Sequence, residues 1–193
     1  MGILGGTFDP PHIGHLVVAS EARWRLDLDE LLLVVAHDPW QKSSTRQVTP
    51  PEIRLEMVEA AVVGHPGIVA SRIELDRGGP SYMVDTVAEL APGAGSAVEL
   101  TLIVGADTAA GLPSWHRARE LASMVSLAVV GRNGETAGTA PIGWRAVPLE
   151  VPRIDVSSSE IRRRCEGGEP IDALVPPGVR SIIEARGLYG FRR

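Results

Sequence analysis

Three near-continuous apolar runs, in a chain where such runs alternate with stretches of helical character, constrain the fold more than any other feature. The runs are ELLLVVA (30–36), AVELTLIVG (97–105) and VSLAVVG (125–131). Uninterrupted apolar character is typical of strands that are buried on both faces, as in parallel sheets covered by helices. We therefore predict an α/β fold, a Rossmann-like doubly wound parallel sheet with helices on both faces.

Helix signals separate the predicted strands. Thr49 stands three residues before Glu52 in the pattern of a capping box, which predicts a helix from this point to about Val63. A strand is predicted over 67–75. Further helices are expected from residue 13, over 82–90, over 106–124 with a break at Pro113, and in the segment after residue 157.

Length, charge and cysteine content limit the class of protein. A chain of 193 residues suits one domain, 1–193, in which residues from about 157 form a C-terminal helical part. The net charge of −5 without a basic stripe argues against a nucleic-acid partner. With the single cysteine Cys165 and no apolar run near ~20 residues, we expect neither a disulfide nor a membrane partner, and a cytoplasmic location. Homo-oligomerisation stays open.

The N-terminal segment GGTFDPPHIGHL carries the first chemical signal. His12 and His15 lie in the first turn of a predicted helix and share one of its faces. A helix that follows a strand and a glycine turn presents free backbone N–H groups, which bind anions. Gly14 leaves room for a ligand to approach the backbone. We therefore predict that the two imidazoles donate to a negatively charged group, the alternative being that they only cap the helix.

Other chemistries fit this segment less well. A zinc site would need further ligands from His37, His65 or His116, and the spacing is not that of a metalloprotease, so we predict no metal-ligating side chains. The chain has no G-x-S-x-G segment for a nucleophilic serine, and GGTFDP is not a G-x-G-x-x-G dinucleotide fingerprint.

A second anion-binding signal is the segment VSSSEIRRR. Ser157 and Glu160 form a capping box, so Ser158 and Ser159 lie at a helix N-terminus suited to phosphate. The three following arginines cannot all face one side of a helix, and we expect one of them to bind phosphate through its planar fork. Trp115 is a candidate for stacking on a planar ring, with core packing as its alternative. Lys42 is a phosphate ligand or a solvated surface residue.

These segments resemble the nucleotidyltransferase superfamily with its (H/T)-x-G-H and I-S-S-T-x-I-R motifs, here HIGH (12–15) and VSSSEIR (156–162). Within it, the chain is most similar to the bacterial nicotinate mononucleotide adenylyltransferases. Supporting stretches are GGTFDPPHIGHL, LDRGGPSYMVDT, LIVGADTAAGLPSW and LVPPGVRSIIEARGLYG, which span nearly the whole chain. The resemblance implies transfer of AMP from ATP, with Mg²⁺, to nicotinate mononucleotide by direct attack, giving deamido-NAD and pyrophosphate.

The resemblance also implies residue roles. Catalytic contacts would come from His12, His15 and Arg162. ATP would be bound by Gly6, Thr7, Phe8, Gly14, Gly105, Asp107, Ser158 and Ser159. The mononucleotide would be bound by Lys42, Thr86, Trp115, His116 and Arg132. Among these, Trp115 would stack on the pyridine ring, Thr86 and the backbone of His116 would meet its carboxylate, and Lys42 would meet its phosphate.

Two departures and three rivals accompany this interpretation. The segment AHDPWQKSSTR replaces the P-P-H-K or P-P-H-R of many relatives, which weakens the role of Lys42, and Ser159 replaces the motif threonine. Phosphopantetheine adenylyltransferase shares the fold but has no pyridine ring to hold, and the same objection applies more strongly to a cytidylyltransferase. An ATP sensor without catalysis is a rival of another class.

Overall fold

A six-stranded parallel sheet forms the centre of the protein, as seen in a computed structural model that describes residues 1–39, 47–94, 98–132 and 141–191. The strands are β1 (Gly2–Gly6), β2 (Leu31–Val35), β3 (Ile68–Ser71), β4 (Thr101–Gly105), β5 (Ser126–Arg132) and β6 (Ala146–Val151). The helices are α1 (Ile13–Arg25), α2 (Pro51–Val62), α3 (Ile73–Arg77), α4 (Met83–Ala94), α5 (Ala106–Gly111), α6 (Ala118–Met124), α7 (Ser158–Gly167) and α8 (Pro177–Arg186). Two 3₁₀ turns cover Leu112–Ser114 and Leu188–Gly190.

The strand order β3-β2-β1-β4-β5-β6 confirms the predicted doubly wound fold. Every neighbouring pair is parallel, and Gly2 pairs with Leu31 on one side and Thr101 on the other. The order therefore reverses between β1 and β4. In sheets of this kind, ligands bind in the crevice at that reversal, outside the carboxyl ends of the strands.

Apolar side chains bury both faces of the sheet. One face packs under α4, α5, α6 and the 3₁₀ turn that follows α5, through Val84, Val87, Ala109, Leu112 and Leu121. The other face packs under α1 and α2, through Ala19, Ala22, Leu55 and Val58. A third cluster joins α1 and α2 to the C-terminal helices, through Leu16, Met57, Ile161, Val179 and Ile183. Because α7 is held in this way, its N-terminus faces the loop that follows β1.

Two of the predicted elements were wrong in detail. Residues 67–75 are not one strand, because β3 ends at Ser71 and α3 follows; an i,i+4 ion pair between Arg72 and Asp76 supports this turn of helix, which ends at Gly78 with φ +68°. Thr49 does not cap α2. Pro50 is the N-cap residue, and the Thr49 hydroxyl donates instead to Tyr189.

None of the helices in the described ranges combines the length and the apolar character needed to span a membrane.

Candidate active site

The loop after β1 is fixed from several directions. Phe8 adopts φ +49° with its ring buried, and the Asp9–Pro10 peptide bond is cis. The buried Arg54 of α2 donates to the carbonyl oxygens of Thr7 at 2.7 Å, Thr49 at 2.7 Å and His37 at 3.3 Å. Sequence reasoning missed Arg54, because an arginine within a predicted helix is ordinarily a solvated residue. The loop between β1 and α1 is therefore held in place by buried hydrogen bonds.

The two histidines of the HIGH segment stack on each other at the start of α1. Their ring centroids are 3.7 Å apart, and the backbone N–H of His12 donates to Nδ1 of His15 at 3.1 Å. Because Nδ1 of His15 accepts this bond, the neutral ring carries its proton on Nε2, which makes Nε2 a donor. A T-shaped contact with Phe8 also orients the His15 ring.

His12 is buried, and that burial lowers the pKa of its imidazole to about 4. The ring is therefore neutral at pH 7. Its Nδ1 is buried and has no hydrogen-bond partner among the described residues. A neutral imidazole contributes hydrogen bonds rather than a full positive charge to an anion that binds here.

Gly14 accommodates the His12 ring and leaves no open space above its backbone for a ligand. A Cβ atom at this position would lie 3.0 Å from Nδ1 of His12 and 3.2 Å from Cγ1 of Val156. The space that the sequence suggested for a ligand is thus filled by protein. A glycine is required because the imidazole of the N-cap residue lies over it.

The VSSSEIR segment contacts the loop that precedes the HIGH segment. Ser157 caps α7 by accepting from the Glu160 N–H at 3.2 Å, as predicted. The Ser158 hydroxyl donates to the Pro10 carbonyl at 2.8 Å. Arg162 donates to the Asp9 carbonyl at 2.7 Å and to Oγ of Ser159 at 3.0 Å. The N-termini of α1 and α7 therefore converge on one loop, which is suited to binding phosphates.

Only the first arginine of the RRR segment faces this loop. Arg163 and Arg164 both pair with Glu160, and Arg163 also pairs with Glu169 at 2.6 Å. These ion pairs lie on the outer side of α7. The expectation that one of the three arginines faces the site agrees with this geometry.

A C-terminal tyrosine also contacts the loop. Tyr189 donates its hydroxyl proton to Oδ1 of the buried Asp9 at 2.8 Å, and Thr49 donates to the same hydroxyl at 3.3 Å. Burial raises the pKa of Tyr189, and the Asp9 carboxylate adds to this shift. No local pattern in the sequence indicates this contact, since 180 positions separate the two residues.

A cleft of about 290 Å³ opens beside the loop, at the carboxyl ends of β1 and β4. Its lining includes Gly6, Thr7, Gly105, Trp115 and His116, all predicted site residues. Gly105 ends β4 and is the N-cap residue of α5, and a Cβ there would meet no atom within 4 Å, so the backbone is open to a ligand. Asp107 lies exposed in the first turn of α5.

Aromatic rings line one side of this cleft. Trp115 is half-buried and packs its other side against the core beneath α4 and α5. The exposed His116 ring stacks on Tyr82 with centroids 4.3 Å apart. Sequence reasoning missed Tyr82, although it lies in the quoted PSYMVDT stretch. The arrangement suits a planar, heteroaromatic ligand.

Three predicted substrate contacts are not placed in this cleft. Thr86 is fully buried, and its hydroxyl donates to Oε1 of Glu74 at 2.7 Å while accepting from Arg77 at 3.0 Å. Its backbone N–H donates to the Tyr82 carbonyl. Lys42 and the side chain of Arg132 lie outside the described residues.

No group of three or more histidine, cysteine, aspartate or glutamate side chains could hold a metal ion in the described part of the chain.

Most of the chain matches a known protein family. Residues 3–164 match the family model described as Cytidylyltransferase-like, and this range includes both segments that are predicted to bind phosphate. Among solved structures, the chain is similar to the Plasmodium falciparum nicotinic acid mononucleotide adenylyltransferase complexed with NaAD. That similarity has a TM-score of 0.75 at 20% identity and covers 99% of this chain and 97% of the other. The architecture is thus that of a nucleotidyltransferase.

Comparison with curated relatives identifies the family within the nucleotidyltransferases. Over 196 residues the chain is 44% identical to a Geobacillus thermodenitrificans protein, covering 100% of this chain and 87% of that protein. It is 42% identical to a Streptomyces coelicolor protein, covering 96% of this chain and 98% of that one. Both are named "Probable nicotinate-nucleotide adenylyltransferase". The chain belongs to the nicotinate-nucleotide adenylyltransferase family.

Proposed function

We propose that this enzyme transfers AMP from ATP to nicotinate mononucleotide, giving deamido-NAD and pyrophosphate. The observation that carries the proposal is the convergence of two helix N-termini, His12, His15 and Arg162 on one loop beside an aromatic cleft. Such a site can hold a triphosphate next to a planar ring. The names of the relatives, and the NaAD complex of the Plasmodium enzyme, agree with this pair of substrates.

The phosphate-binding end of the site is assigned to the two motifs. The Nε2–H of His15 and the imidazole of His12 would donate to oxygens of the ATP α- and β-phosphates. Ser158, Ser159 and Arg162 would meet the far end of the triphosphate, where a guanidinium fork can bridge two oxygens. The backbones of Gly6, Thr7 and Phe8 would complete this part, and Gly105 and Asp107 would lie by the adenosine. Gly14 would contribute indirectly, by making room for the His12 ring.

The reaction needs no covalent enzyme intermediate. An oxygen of the mononucleotide phosphate attacks the α-phosphorus of ATP and forms the new P–O bond. The bond from the α-phosphorus to the oxygen bridging to the β-phosphate breaks, and that oxygen leaves with the electron pair as part of pyrophosphate. The described residues contribute positioning and donors for the developing negative charge. Mg²⁺ enters as the Mg·ATP substrate, bound by phosphate oxygens and water.

The pyridine-binding end of the site is assigned to the cleft. Trp115 would stack on the ring, and the backbone N–H of His116 would donate to its carboxylate. Lys42 remains the proposed partner of the mononucleotide phosphate, and Arg132 remains a proposed contact of the mononucleotide. The Thr86 hydroxyl already donates to Glu74 and accepts from Arg77. It would therefore influence the pyridine carboxylate only through these hydrogen bonds and would not donate to that carboxylate directly. A cytoplasmic location, where ATP is available, belongs to the same proposal.

Acceptor-dependent pyrophosphate release tests this function. Wild-type protein is incubated with Mg·ATP alone, or with nicotinate mononucleotide, phosphopantetheine or glycerol phosphate. We expect release with nicotinate mononucleotide only, and no exchange of labelled pyrophosphate into ATP when the acceptor is absent. Exchange without an acceptor would refute direct attack, and release with phosphopantetheine alone would refute the substrate assignment.

A further inference from the structure

A buried carboxylate lines the aromatic cleft with one oxygen unsatisfied. Glu74 of α3 is 3% exposed, and it lines the same cleft as Tyr82, Trp115 and His116. Its Oε1 accepts the Thr86 hydroxyl proton at 2.7 Å. Its Oε2 is buried and has no hydrogen-bond partner among the described residues. A buried charge of this kind is costly unless an opposite charge offsets it.

The nearby arginine compensates this charge only in part. Arg77 places Nη2 3.8 Å from Oε1 of Glu74, beyond hydrogen-bond distance, and donates that group to Thr86 at 3.0 Å. Its Nη1 lies 3.2 Å from Oε1 of Glu89. One guanidinium is thus shared between two carboxylates, so the group of Glu74, Arg77 and Glu89 carries a net negative charge.

The proposed mononucleotide supplies the missing positive charge. Its pyridine ring is bonded to ribose through nitrogen and is therefore a pyridinium cation. We infer that Glu74 is a specificity-determining residue that selects the cationic pyridinium ring through its unpaired carboxylate oxygen; this inference rests on the proposed function. Stacking of the cation on Trp115 acts in the same direction, because aromatic faces attract cations. A reduced dihydropyridine ring has the same outline without the charge and is disfavoured.

The test compares the two ring charges in matched proteins. kcat/KM is measured at saturating Mg·ATP for nicotinate mononucleotide and for its chemically reduced dihydro form, in wild type, Glu74→Gln and Asp76→Asn. Wild type is expected to favour the cationic ring by about tenfold or more, since opposite charges interact strongly across a partly desolvated site. Glu74→Gln is expected to raise KM for the cationic ring by about tenfold, leaving KM for the reduced ring and for ATP unchanged.

Asp76→Asn is the control, because it removes a carboxylate from the same helix at a site that is 59% exposed, paired with Arg72 and outside the lining of the cleft. It is expected to keep the wild-type preference. Equal losses for both rings in Glu74→Gln would show a structural role and overturn the inference. Absence of a preference in wild type would overturn it without any variant, even if Glu74→Gln does not fold. Failure of wild type to adenylylate either mononucleotide would instead refute the proposed function.

Discussion

Arg162 donates to the backbone carbonyl of Asp9 at 2.7 Å, joining residues that lie 153 positions apart. This bond brings the N-terminus of α7 against the loop after β1. The two motifs that are predicted to bind phosphate thereby lie together, at the point where the strand order reverses.

Arg162→Lys is expected to lower kcat/KM for Mg·ATP by roughly tenfold to a hundredfold, because an ammonium cannot bridge the Asp9 carbonyl, Ser159 and phosphate as the planar fork does. Steady-state kinetics with varied ATP measure this effect. Arg163→Lys is the matched control, since its partners are Glu160 and Glu169 on the outer side of the helix. Equal losses in the two variants would refute the assigned role of Arg162.

His15→Ala is expected to reduce kcat by ~10²–10³, the typical effect of removing one preorganised donor to a developing negative charge. The Nδ1 of His15 also accepts the His12 N–H, so the thermal midpoint is measured beside kcat. Near-normal turnover in a folded His15→Ala protein would contradict the donor role.

The free energy of unfolding is expected to fall as the pH is lowered from 6.5 to 4, in part because of His12. Its pKa is about 4 in the folded protein, against 6.5 when unfolded, so the unfolded state binds the extra proton in this window. The corresponding loss of stability is on the order of 3 kcal/mol. Urea titrations of wild type and His12→Gln at several pH values measure it. The variant should show a smaller decrease, and parallel curves for the two proteins would contradict the buried, neutral state of His12.

Tyr189→Phe is expected to destabilise the protein by about 1–3 kcal/mol, since it removes a hydrogen bond to the buried carboxylate of Asp9. KM for ATP should rise, because Asp9 belongs to the loop that α1 and α7 share. Thr49→Val is the control, as it removes a bond to the same hydroxyl and leaves the Asp9 contact intact. A larger loss in Thr49→Val than in Tyr189→Phe would show that Asp9 is not the important partner.

The fold could be predicted from the sequence because the patterns that indicate its strands and helices are local. The apolar runs mark β2, β4 and β5, and the Ser157–Glu160 capping box marks the start of α7. The histidine pair was found for the same reason, since helical spacing alone places both rings on one face. Local patterns therefore sufficed to predict the two segments that the structure brings together and for which we propose phosphate binding.

Contacts between distant segments could not be predicted in this way. Thr49 stands in a capping-box pattern, yet its hydroxyl contacts Tyr189, which is 140 positions away. The helical turn after β3 was missed because Ile73 and Leu75 continue the apolar pattern of the strand, whereas Glu74 between them is buried through its bond to Thr86. Tertiary hydrogen bonds decided the local structure at both positions.

A competition experiment shows which acceptor this enzyme adenylylates, and so tests the proposal that the acceptor is nicotinate mononucleotide. Wild-type protein receives Mg·ATP with equal concentrations of nicotinate mononucleotide, nicotinamide mononucleotide and phosphopantetheine, and the adenylylated products are resolved by mass. We predict deamido-NAD as the dominant product, because a carboxylate accepts from the His116 N–H through a charge-assisted bond that a carboxamide cannot match. Dominant dephospho-coenzyme A, or equal amounts of NAD and deamido-NAD, would contradict the account.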